Sequence, residues 1–305
     1  MISHSFQYTT ESGWSCESFP DLDSPSTVVL VFGASHHPDL ALQLTGLREA
    51  YPSSVLMGCS SAGEIWGEDV YDDTLSVAVM RFDHTPLRFV SAPLIEGDSA
   101  GAGALLAESL AAEDLKAVLV LSPGLGVNGS LLTQAFNQSL SPTVRVVGGL
   151  AADGDRFEKT WVIEGGQAVS DRITAVGFYG DHVCVGSGSG AGWDPFGPER
   201  RITRSEGNVL FELDGQPALA VYERYLGDLA EGLPGSALLF PLSVNRPGRE
   251  DAAGLVRTVL AVDREVGSMT LAGDVPEGSR AQLMRCRVDR LVDGAEVAGK
   301  MALTC

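Results

Sequence analysis

The chain has 305 residues, 44% hydrophobic and 20% charged, and its 21 Lys and Arg stand against 40 Asp and Glu for a formal charge of −19. That length buries one large core or two moderate ones, while the acidic balance, with no basic cluster set against it, excludes nucleic acid and anionic lipid as expected partners. No stretch approaches the roughly 18 uninterrupted apolar residues of a membrane helix, and MISHSFQYTTESGW lacks the basic-then-apolar order of a signal peptide; the expected location is the cytoplasm.

In chain order, a polar leader (1–27) is followed by TVVLVFG, Thr27 to Gly33, a buried-strand run. Helical spacing follows through Leu40, Leu44 and Leu47, then a second apolar run, Val55 to Cys59. Strand, helix, strand predicts a right-handed parallel crossover, with GCSSAGEIWG, Gly58 to Gly67, leaving the carboxyl end of its second strand. Thr74 to Phe82 and Leu87 to Leu94, divided by DHTP, predict an antiparallel hairpin added to that sheet. A helix from Asp98, a strand at Ala117 to Gly124, a helix capped by Asn128 and a strand at Val144 to Gly149 repeat the crossover, a weak internal duplication.

From Phe157 to Phe211 short strands alternate with EGG, GDH, GSGSGAG and PFGPE, without a helix. Helical spacing resumes at Gly215 to Leu229, with Asp214 placed to cap it, and strands with one final helix complete the chain. The 36 glycines fall mostly at segment ends, as tight turns require. The expected fold is therefore α/β: a mixed, partly parallel N-terminal domain (28–214), then a β-rich α+β domain (215–305). Five cysteines, Cys16, Cys59, Cys184, Cys286 and Cys305, never form a CxxC pair, so reduced thiols are expected.

Glycine-rich ends of parallel strands are where open α/β sheets bind ligands. In GCSSAGEI, Cys59, Ser60, Ser61 and Gly63 line such a cradle, with Glu64 to fix an amine; the alternative is a tight turn with a buried Cys59 and a solvated Glu64. GGLAADGD sets Gly148 and Gly149 at the other strand end, and Asp153 beyond them faces the same pocket or is solvated. Arg200, in GWDPFGPERR, suits a ligand carboxylate. A nucleophilic Cys59 needs a base, for which only His36 and His37 stand near by topology. Adjacent histidines point to different faces and do not share one metal.

VLMGCSSAGEIWG, VVGGLAADGDRF, GWDPFGPERRITRSEGNVLFELDGQPALAVYERYLG and VPEGSRAQL, in this order, resemble the FIST family over about Val28 to Cys305. The resemblance implies a sensor in intracellular signal transduction, with amino acids or other small metabolites as ligands. It also implies a downstream partner such as a histidine kinase or a cyclic-nucleotide enzyme, with a homodimer a further option. Some members are haem-based nitric oxide sensors; here the haem-ligand candidates are His182 and His36, and His182 qualifies only if an apolar pocket faces it. No cofactor is otherwise implied, and an enzyme, a hydrolase or transferase using Cys59 or Glu64, is the alternative. Two departures stand out: relatives continue beyond MALTC, and Ala191 stands where some carry a polar residue or histidine.

Overall fold

A computed structural model of the chain describes residues 1–190, 192–245 and 254–304. The chain divides into two compact units, Met1–Val127 with Leu132–Val185, and Asn128–Leu131 with Gly186 onward. Ala191 and Cys305 lie outside the described residues.

The elements of the first unit are β1 (Ile2–Thr9), β2 (Gly13–Trp14), β3 (Thr27–Ala34), α1 (Leu40–Ala50), β4 (Val55–Ser61), β5 (Glu64–Trp66), β6 (Asp69–Tyr71), β7 (Leu75–Arg81), β8 (Leu87–Pro93), α2 (Ser99–Leu110), β9 (Leu115–Ser122), α3 (Gly129–Ser139), β10 (Arg145–Leu150), β11 (Val162–Glu164), β12 (Gln167–Val169) and β13 (Arg172–Tyr179). The first residues of α3 cluster with the second unit. Seven strands form one sheet in the order β12-β11-β4-β3-β7-β1-β2, four form another in the order β10-β9-β13-β8, and β5 and β6 make a separate hairpin.

Each sheet is two-sided, which explains why its central strands read as continuous apolar runs. One face of the larger sheet, with Phe6, Val29 and Val31, packs on Leu44, Leu47 and Tyr51 at α1. Its other face, with Val28, Met57 and Cys59, meets Ala117, Leu121 and Val176 of the smaller sheet. The far side of the smaller sheet is covered by Leu106 and Leu110 of α2 and Leu132 and Phe136 of α3. The unit is thus four layers, helix, sheet, sheet, helices.

Both expected crossovers are present: β3 pairs with β4 and β9 with β10, each in parallel. They share one steric detail. A Cβ at Gly58 would lie 1.9 Å from the Val31 carbonyl oxygen, and one at Gly148 would lie 1.8 Å from that of Val120. Val31 and Val120 are the register partners of these two glycines. Each second strand therefore approaches its neighbour at a distance only glycine permits. The two halves of the unit are built alike.

The expected β7–β8 hairpin is corrected. β7 pairs with β1 and β3 of the larger sheet, whereas β8 pairs with β13 of the smaller one. Phe82 and Leu87, on either side of DHTP, both pack into the core between the layers, which carries the chain from one sheet to the other.

The second unit contains β14 (Trp193–Pro195), β15 (Arg200–Glu206), β16 (Val209–Leu213), β17 (Gln216–Pro217), α4 (Ala218–Leu226), β18 (Leu242–Asn245), β19 (Leu255–Arg257), β20 (Val259–Asp263), β21 (Ser268–Leu271), β22 (Arg280–Cys286) and α5 (Val288–Ala302). Its sheet runs β19-β18-β22-β15-β16-β21-β20, with β14 on β22 and β17 on β16. Leu219, Tyr222 and Leu226 of α4 pack on Ile202, Leu210, Leu242 and Met269 of that sheet. α5 rests on alternate glycines: Cβ atoms at Gly186, Gly188 and Gly190 would fall within 2.2 Å of the carbonyl oxygens of Ala302, Ala298 and Gly294.

Two further expectations are corrected. Asp214 does not cap α4, whose N-terminal Pro217 has no side-chain cap; the Asp214 carboxylate instead accepts from the Arg201 amide at 2.9 Å and from Arg200 Nη1 at 3.0 Å. Competing donors on the neighbouring strand take it. Cys184 is disulfide-bonded, so the thiols are not all reduced.

Asn128 behaves as expected, its Oδ1 accepting from the amides of Ser130 and Leu131 at the start of α3. Gly58→Ala and Gly148→Ala are each expected to cost about 3 kcal/mol, because backbone carbonyls cannot step aside as side chains do. Gly149→Ala, with no atom within 4 Å of its Cβ, should change stability by under about 0.5 kcal/mol. Urea denaturation of the three variants checks the contrast.

Candidate functional site

β3 and β4 run in the same direction and stay in register to Ala34 opposite Ser61, so their carboxyl ends finish side by side. Cys59, Ser60 and Ser61 are strand residues, and the turn begins only after them. Cys59 pairs with Val162 and its side chain lies in the core between the sheets, where burial pushes its thiol up to about 12.

Ser60, 1% exposed, ties three segments together. Its amide donates to the Trp161 carbonyl and its own carbonyl accepts from the Ala152 amide, both at 2.9 Å. Its hydroxyl oxygen accepts from the Trp161 amide at 3.1 Å. The indole Nε1 of Trp161 donates to the carbonyl of Ser35, at the end of β3. The two glycine-rich segments expected to share a site are thus joined directly, through Ser60 and Ala152.

Glu64, also 1% exposed, opens β5. Its carboxylate accepts from Ser61 Oγ at 2.6 Å and from both the amide and the hydroxyl of Thr74 at 3.1 Å. Gln7 of β1 reaches the same Thr74 hydroxyl. Burial raises the Glu64 carboxyl above its ordinary range, Asp72 adds to the rise, and the Ser61 and Thr74 hydrogen bonds oppose it. Gly63 supplies the tight fit beneath: its carbonyl, 3.2 Å from Ser61 Oγ, competes with Glu64 for the one Ser61 hydroxyl proton, and a Cβ there would lie 3.2 Å from Val70.

His36 and His37 point to opposite faces. His36 is exposed and pairs with Asp73 at 3.2 Å. His37 is 5% exposed, and its Nδ1 accepts from the Asp39 amide at 3.2 Å. Its ring meets the edge of Tyr8, whose hydroxyl donates to the Asp39 carboxylate at 2.8 Å. Burial holds the imidazole below its ordinary pKa, against the pull of Asp39 and Asp73. A neutral ring that accepts at Nδ1 carries its proton on Nε2. That buried Nε2 has no partner among the described residues.

The remaining candidates are more scattered. Asp153 is 4% exposed and its Oδ2 accepts from the amides of Glu158 and Lys159, so it shapes the turn leading to Trp161. Gly148 and Gly149 lie on β10, opposite Val120 and Leu121. Arg200 belongs to the second unit, bonded to Asp214 and to the Tyr225 hydroxyl. His182 is exposed beside the ring of His84. With His36 committed to Asp73 and His182 exposed, neither fits an axial haem ligand, which needs an imidazole facing an apolar cavity.

Thr74, Trp161, Ser35 and Tyr8 are the site residues that sequence patterning did not single out. Trp161, fully buried with a polar indole tip, carried the one usable signal, since a buried indole N–H needs an acceptor.

Against known proteins, the FIST N domain model matches residues 27–216 and the FIST C domain model matches residues 218–304. An uncharacterised protein of Methanocaldococcus jannaschii is 25% identical over 292 residues, covering 88% of this chain and 55% of the relative. The chain thus spans about half the length of that relative. An uncharacterised protein of Mycobacterium tuberculosis is 25% identical over 270 residues, covering 85% of this chain and 68% of its own. The solved structure of a chorismatase aligns over 93% of this chain and 98% of its own, at 11% identity and a TM-score of 0.27, too slight a likeness to bear on fold or chemistry.

Two outcomes follow from the titrations. With its folded pKa raised, Glu64 keeps its proton longer than the unfolded chain does. Its penalty is absent below the ordinary glutamate value of about 4.3 and grows as pH rises through the window up to the folded value. The melting temperature of Glu64→Gln minus that of the original chain should therefore climb from about pH 4 and then level off; a flat difference counts against the assignment. Iodoacetamide should label Cys59 only on unfolding, a prediction that mass spectrometry of native and urea-treated protein checks directly.

Proposed function

Since the chain belongs to the FIST family, whose domains are associated with signal-transduction sensors, we propose that it binds a small ligand at the carboxyl ends of β3 and β4. Occupancy is relayed to a downstream signalling protein. The reading is supported above all by the buried Nε2–H of His37, which has no acceptor among the described residues.

An unsatisfied buried donor costs about 1–3 kcal/mol, so a fold that keeps one gains when a ligand oxygen accepts it. Glu64, buried a few residues past the neighbouring strand end, offers the complementary carboxylate. An oxygen acceptor at His37 and an amine at Glu64 is the pairing that an amino-acid-like metabolite presents. To reach the amine, the carboxylate would loosen its bond to Ser61 while Thr74 keeps it in place. Such an exchange gives occupied and empty states different hydrogen bonding around β5 and β7, and differential affinity for two states is what a sensor needs.

Nucleophilic chemistry is the weaker reading, because Cys59 is sealed in the interlayer core with its thiol protonated at neutral pH.

A thermal-shift panel of amino acids, other small amines and small carboxylic acids tests the proposal. Ligand at about 100 times its dissociation constant stabilises the folded chain by about 2.7 kcal/mol. At least one compound should raise the melting temperature, with the rise lost in His37→Ala and in Glu64→Ala. A response of equal size in both variants removes the site from the strand ends, and no response across the panel removes the reading.

A further inference from the structure

In the second unit, Glu199, Arg200, Arg201, Asp214, Gly278 and Arg280 line a concavity of about 440 Å³. That volume lies within the range of small-ligand sites. Three arginines in one such space stand out in a chain of net charge −19.

Their arrangement is uneven. Arg200 is held by Asp214 at 3.0 Å and by the Tyr225 hydroxyl at 2.8 Å, with its guanidinium 5.6 Å from the centre of the Tyr225 ring. Its Nε has no partner among the described residues. Arg280 pairs with Glu199 at 3.1 Å. Both acids are thereby engaged. Arg201 is exposed, and its guanidinium has no ion-pair partner among the described residues, although Asp214 takes its main-chain amide.

Arg201 and Arg280 are register partners across the antiparallel pair β15–β22, so their side chains leave the same face of the sheet side by side. Like charges directly opposite each other on a sheet are destabilising. Three positive groups against two negative ones leave a surplus of positive charge around the concavity, and an anion seated between Arg201 and Arg280 turns the repulsion into two charge-assisted hydrogen bonds. The planar guanidinium fork fits carboxylate and phosphate oxygens alike.

We propose that this concavity binds a small oxyanion, the carboxylate or phosphate group of a metabolite, at a site independent of the strand ends of the first unit. Arg201 and Arg280 grip the oxyanion, while Arg200, fixed by Asp214 and Tyr225, forms the charged wall behind it.

Isothermal titration of the full chain with inorganic phosphate and, separately, with succinate tests this at constant ionic strength set with sodium chloride. Saturable one-to-one binding of either anion is expected, and the better of the two identifies the group. Arg201→Gln and Arg280→Gln should each weaken it about tenfold or more, the loss of one charge-assisted bond. Both side chains are exposed, so circular dichroism should show the fold unchanged. His37→Ala should bind the anion as the original chain does, which separates this site from the strand-end ligand. The proposal is overturned if neither anion binds saturably in the millimolar range, or if both arginine variants bind as tightly as the original chain.

Discussion

Ser60 is the residue on which the strand-end region depends. It sits inside a sheet, where the main chain is already committed to a ladder, and still gathers Trp161 and Ala152 through its amide, carbonyl and hydroxyl. A larger side chain would not fit at 1% exposure, and one without an acceptor oxygen would leave the Trp161 amide unpaired in a dry interior. From this node the other positions follow. Trp161 reaches Ser35 at the end of β3, and Asp153 folds the intervening turn so that Trp161 arrives at the right height.

The candidate site is therefore organised by main-chain bonds, and Glu64 and His37 are guests within that frame. Glu64 and His37 are buried to a similar degree but differ in how they are satisfied. Glu64 is surrounded by donors, whereas His37 has one nitrogen engaged and one without a partner among the described residues. Burial biases both toward their neutral forms, raising one and lowering the other.

What could be read from the sequence was local. The crossovers around α1 and α3 were legible because apolar period and cap residues lie within a few positions of one another, and Asn128 caps as its place suggests. Gly58 and Gly148 were visible as strand-end glycines, though the carbonyl that each one faces belongs to another strand. Choice of sheet was not legible: β7 and β8 are neighbours in sequence, yet Phe82 and Leu87 carry the chain between layers. The partners of Ser60 were hidden for the same reason, since Trp161 is 101 residues away. Alternation predicted that His36 and His37 diverge, but which of them turns inward depends on Tyr8 and the packing of β1.

In the glycine run under α5 the closest approaches are made by main-chain atoms of the helix. Residues 186, 188 and 190 meet helix carbonyls at 302, 298 and 294, so every two residues of the run match four of the helix. Four helical residues rise about 6 Å, while two fully extended residues span about 6.6–6.8 Å. The two rulers differ by a little over half an ångström per step, and they drift out of step as contacts accumulate. Length alone therefore limits how far such a seam of main-chain contacts can extend.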